Sequence, residues 1–105
     1  MIVIRFYKTI LSDKNTDTEK YIDFLHQGIA VRELYIIKVP YSSSNLMDIL
    51  SSKDFLKKVN SFSEKDTVIG LAKSKKSAIQ LSKRIIENYL VDHDDLNGFK
   101  DKYLR

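Results

Sequence analysis

Residues 67–72, TVIGLA, are apolar at both alternations of an extended strand, so the fold must cover two opposite faces of this segment at once. That requirement predicts a central, fully buried strand. Two further runs have strand character. Residues 34–39, LYIIKV, are nearly continuously apolar and stop at Pro40, as in a strand covered on both sides. Residues 2–7, IVIRFY, are β-branched and aromatic, with Ile2, Ile4 and Phe6 forming one apolar alternate set.

Helical spacing fills the intervals. After the polar cluster 12–17 (SDKNTD), Thr16 and Glu19 have capping-box spacing, which predicts a helix beginning near Asp17. Its stripe is Tyr21, Phe24, Leu25 and Gly28, and Gly28 suits the left-handed residue that ends a helix. Serines 42–44 and Asn45 precede Leu46, Ile49 and Leu50, and Ser51 with Asp54 repeats the capping spacing before Phe55, Leu56 and Val59. A second helix, broken or restarted near Ser51, is expected there. Ser74 or Ser77 caps a long third helix with a stripe of Ala78, Leu81, Ile85 and Tyr89, widened by Ile79, Ile86 and Leu90. Leu96, Phe99 and Tyr103 keep helical spacing, so residues 94–105 are expected to form a short docked helix.

Strand and helix therefore alternate three times. This order predicts an α/β three-layer sandwich around a small, mainly parallel three-stranded sheet in βαβαβα order, the alternative being an α+β fold with strand one antiparallel. A chain of 105 residues accommodates one domain, residues 1–105. It has no cysteine, which excludes disulfides, thiolate metal sites and thiol nucleophiles and fits a reducing compartment. Arg5 interrupts the apolar start, so no signal peptide is expected and the default address is the cytoplasm. No apolar run reaches membrane-spanning length, and no membrane partner is expected. Three strands leave two unpaired edges, and the widened stripe of the last helix needs cover, so a homodimer or another protein partner is expected.

The most suggestive local feature is the turn Lys73, Ser74, Lys75, Lys76 and Ser77, where a strand ends and a helix begins. Strand ends in parallel sheets host ligands, helix N-termini present free N–H groups, and this turn adds hydroxyls and ammonium groups, which together suit an anion. It is not a P-loop, because Gly70 stands alone and no Gly-Lys-Ser/Thr follows. Nor does it match a nucleophile elbow. Residues 73–84 hold five basic side chains and no acid, and Lys76, Lys83 and Arg84 could share one nucleic-acid-binding face, the alternative being a simple solvated surface. His26 reads as a helix-end residue, and His93, between Asp92 and Asp94, as a surface turn residue. No metal, cofactor or catalytic residue is assigned.

The leading functional expectation is a small non-enzymatic binding or regulatory module acting through a homo-oligomer or protein partner. The alternatives are a nucleic-acid-associated protein using the 73–84 basic face, and a small enzyme with an anion site at the 73–77 turn.

Overall fold

A computed structural model describes residues 2–14 and 16–105. The chain runs β1 (Arg5–Ser12), α1 (Thr18–His26), β2 (Tyr35–Val39), β3 (Asp48–Ser51), α2 (Ser52–Lys58) with a 3-10 turn at Val59–Ser61, β4 (Thr67–Ala72), α3 (Lys75–Asp92) and α4 (Phe99–Leu104). One four-stranded sheet has the order β1-β4-β2-β3. β1 pairs parallel with β4, while β2 pairs antiparallel with both β4 and β3.

This corrects the expected three-stranded parallel sheet. The mixed sheet with its helices fits an α/β or α+β class, but in the α+β alternative the reversed strand is β2 and not strand one. The physical reason lies in residues 46–51. Leu46, Ile49 and Leu50 have helical spacing, yet Asp48–Ser51 lie extended beside β2, with Ile37 opposite Ile49 and Ile36 opposite Leu50. Ile49 then packs toward one face of the sheet and Leu50 toward the other, the alternation of a strand. Residues 40–47 reverse the chain into a hairpin, held where the Tyr41 N–H donates to Asp66 Oδ1 at 2.7 Å.

The sheet carries helices on both faces. Ile36, Val68 and Leu71 join Leu25 of α1 and Phe55 of α2 on one side. Ile37, Val39, Ile69 and Ala72 join Ala78, Leu81, Ile85 and Tyr89 of α3, with Phe99 and Tyr103 of α4, on the other. All six residues of β4 are buried, as its two-faced apolarity requires. Ile36, Ile69 and Leu71 are fully enclosed, and Leu81 and Ile85 nearly so.

β4 also departs from regular alternation. Lys38 pairs with Val68 and Ile37 with Gly70, leaving Ile69 as an extra residue. On the other flank, Phe6 pairs with Val68 and Leu11 with Gly70, so residues 7–10 of β1 bow away from the ladder. A side chain at Gly70 would place its Cβ 3.2 Å from Ile37 Cδ1 and 3.4 Å from Leu81 Cδ2, so the bulged backbone lies tight against α3. The two sheet edges are thus a bowed β1 and a four-residue β3, both poor templates for adding a strand.

The helix ends follow local chemistry. Asp17 caps α1 by accepting from the Lys20 N–H, while the Thr16 hydroxyl bonds Asp13 instead. Gly28, at φ 76°, closes α1: its N–H donates to Leu25 O and that of Ile29 to Phe24 O, the paired bonds of a Schellman turn. Ser51 caps α2 and Ser74 caps α3.

Candidate functional site

β1 and β4 end, β2 begins and β3 ends at the same end of the sheet, with Tyr35 opposite both Ala72 and Ser51. Two clamps build the walls of a cleft there. Ser52, buried at the start of α2, accepts from the Val31 N–H and donates to Val31 O through its hydroxyl, and its own N–H donates to Leu34 O, fixing residues 31–34. Across the cleft, Asp13 at the end of β1 accepts from the Lys73 N–H at 3.1 Å and fixes the 73–75 turn. Between these walls lies a cleft of about 730 Å³, within the size range of small-molecule sites.

Arg32, Lys53, Lys73 and Lys75 line this cleft, with Glu33 as the acidic residue of the lining. The half-buried Val31 and Tyr35 supply an apolar wall, with Leu34 fully buried behind them. Lys73 Nζ donates to the Tyr21 hydroxyl at 2.7 Å and lies 4.8 Å from the centre of that ring. This hydrogen bond, aided by the nearby carboxylates of Glu33 and Asp13 and opposed by desolvation, raises the Lys73 pKa above its ordinary value. Its ammonium therefore stays charged at neutral pH. Glu33 holds φ 64°, a left-handed conformation uncommon for a residue with a side chain.

The five residues of the expected anion turn divide. Lys73, Ser74 and Lys75 line the cleft, whereas Lys76 and Ser77 do not. Ser74 Oγ accepts from the Ser77 N–H at 3.0 Å, leaving the first-turn amides of Lys75 and Lys76 without a partner among the described residues. Lys76, Lys83 and Arg84 are all exposed on α3. Helical geometry sets Lys76 and Lys83 within about 20° of one another and Arg84 roughly 80 to 100° further round, so the three do not form one narrow stripe. Ile79 and Leu90, both substantially exposed, share the Lys76–Lys83 side. Arg32, Glu33, Tyr35 and Lys53 were not singled out in the sequence, because their meeting depends on β2 running antiparallel to β4.

A second cavity, of about 360 Å³, opens at the other end of the sheet beside Phe55, Phe62 and Val68. Lys38, only 4% exposed, lines it. Its Nζ donates to Asp66 Oδ2 at 2.5 Å, lies 3.7 Å from Asp48 Oδ2 and sits 3.8 Å from the centre of the Phe62 ring. Arg5 and Glu64 add one charge of each sign to the lining. The Lys38 ammonium is already neutralised and covered, so this arrangement fastens the 40–47 and 62–66 segments to the sheet. One signal marked it in the sequence: Lys38 is the single charge inside an apolar strand.

The histidines are occupied by packing. His26 meets Phe6 edge-on, and its Nδ1 lies 3.2 Å from Ile2 O. His93 stacks on Tyr89 with ring centres 3.9 Å apart. Among the described residues no three histidine or acidic side chains gather as a metal site, and no helix is long and apolar enough to cross a membrane. No protein-family model matches the chain, and neither curated proteins nor solved structures match it.

Proposed function

We propose that this chain is a non-enzymatic binding module that holds a small phosphate- or carboxylate-bearing ligand in the cleft at the carboxyl end of β4. The observation that carries this reading is the meeting of Arg32, Lys53, Lys73 and Lys75 around one cleft whose lining contains a single acid, Glu33. Such an excess of cations stabilises an anion, and the apolar wall formed by Val31 and Tyr35 suits the uncharged body of the ligand.

Binding is favoured over catalysis by the state of the polar side chains. The Ser51 and Ser74 hydroxyls cap helices, and that of Ser52 is held by Val31. Lys73 remains protonated and is no general base at neutral pH. The nucleic-acid reading of the basic α3 face has less support, because the exposed aliphatic groups of Ile79 and Leu90 interrupt it. A cytoplasmic address fits the absence of cysteine, and self-association fits the apolar residues exposed on α3.

Inorganic pyrophosphate is a suitable first probe. A ligand that binds only the folded state raises the thermal midpoint with concentration, so the unfolding transition is expected to move upward in pyrophosphate. The rise should be lost in Lys73→Ala/Lys75→Ala and kept in Lys100→Ala, which removes a cation elsewhere. Equal shifts in all three proteins would mean a general salt effect and would reject the cleft as the site.

A further inference from the structure

α3 carries a second apolar stripe that the fold leaves uncovered. Ala78, Leu81, Ile85 and Tyr89 face the sheet, but Ile79 is 50% exposed and Leu90 41%, with Ile86 only partly packed beneath them. Lys76, Ile79, Lys83, Ile86 and Leu90 follow one another at alternating intervals of three and four residues, the spacing of a helix–helix seam.

The charges of this helix run against its dipole at both ends. Lys75 and Lys76 occupy the first turn and Asp92 the last, with no acid in the first turn and no base in the last. Lys83 and Arg84 extend the basic half, while Glu87 and the exposed Asp94 and Asp95 extend the acidic half. Negative charge is stabilised at a helix N-terminus and positive charge at a C-terminus, so the isolated α3 is unfavourably charged at each end.

We infer that α3 is the seam of a homodimer in which two copies of the helix pack antiparallel about a two-fold axis. The inference rests on the self-association proposed above and not on the ligand of the cleft. In this arrangement Ile79 lies opposite Leu90 of the second copy, and Lys83 lies beside its Ile86 and Glu87. The basic start of each helix reaches the acidic end of the other, so both mismatches with the dipole are compensated together. A second copy is the fitting occupant because it brings the matching apolar spacing and the opposite charge order in one surface, as a self-complementary two-fold interface requires. α3 spans 18 residues, or about 27 Å, so the contact is small and the dimer weak.

Sedimentation equilibrium from about 10 µM to about 1 mM, the range in which weak complexes form, is expected to show a monomer–dimer equilibrium. Lys83→Glu sets like charges against Glu87 of the second copy and should weaken the dimer at least about tenfold. Adding Glu87→Lys should restore it, while circular dichroism confirms that all variants remain folded. The absence of cysteine permits a second readout of register. Mixed Ile79→Cys and Leu90→Cys proteins should oxidise to the 79–90 cross-linked pair, whereas Ile79→Cys alone should not, its two thiols lying about 16 Å apart along the seam.

A dimer insensitive to Lys83→Glu, or one that cross-links 79 to 79, would overturn this seam while leaving self-association standing. A folded monomer throughout the concentration range would overturn both. So would a monomer that uses the same face to bind an acidic peptide, duplex DNA or vesicles of anionic lipid.

Discussion

Lys38 and Glu33 each occupy a setting that costs free energy, the first a buried charge and the second a left-handed backbone. Lys38 is buried against Asp66, whose side chain is itself only 10% exposed. Removing one member of a buried pair leaves the other charge unmatched, so Lys38→Met is expected to destabilise the protein by about 3 to 5 kcal/mol. Urea unfolding checks this value, and a loss below about 1 kcal/mol would place the pair among weak surface bridges. Glu33 differs in kind, because its left-handed backbone strains any residue with a side chain. Glu33→Gly should therefore fold with unchanged or slightly raised stability, by up to about 1 kcal/mol. The same change removes the acid from the cleft lining, so pyrophosphate should bind more tightly to this variant in calorimetric titration. Weaker binding would mean that Glu33 orders the cleft instead of opposing the ligand's charge.

At the scale of elements, burial and caps were far more legible than strand direction. TVIGLA had to be a covered strand, and its centre carries the strongest packing prediction. Ile69 is fully buried among α3 side chains, so Ile69→Ala is expected to cost about 2 to 5 kcal/mol, measured by denaturant unfolding. An unchanged midpoint would deny that the bulge at Ile69 is part of the core. Gly28, Ser51 and Ser74 marked helix ends correctly because capping is local chemistry, decided within a few residues. β3 escaped because its four residues satisfy helical and extended spacing about equally well, and only pairing with β2 selects between them. Helical spacing across residues 46–51 hides the hairpin, and without the hairpin the direction of β2 cannot be read from the sequence. Gly70 carries the signal for this irregularity: a glycine inside an otherwise apolar strand marks the bulge that brings β4 against α3.

For the whole molecule, the same missing hairpin explains which part of the cleft could be read in advance. The 73–77 turn stood out because strand end, cap and lysines are contiguous in the chain. Arg32 and Lys53 did not, since an antiparallel β2 is what brings its own start, the end of β3 and the end of β4 to one place. If these separated segments form one anion site, as proposed, all of them respond to the ligand together. Amide chemical-shift mapping of isotopically labelled protein during pyrophosphate titration reads all three segments in one measurement. Saturable shifts are expected in residues 31–35, 52–53 and 73–76 together, and their loss is expected in Lys73→Ala/Lys75→Ala. Shifts centred instead on Lys83 and Arg84, or none by about 10 mM ligand, where binding weaker than millimolar would still register, would rule out the cleft as an anion site.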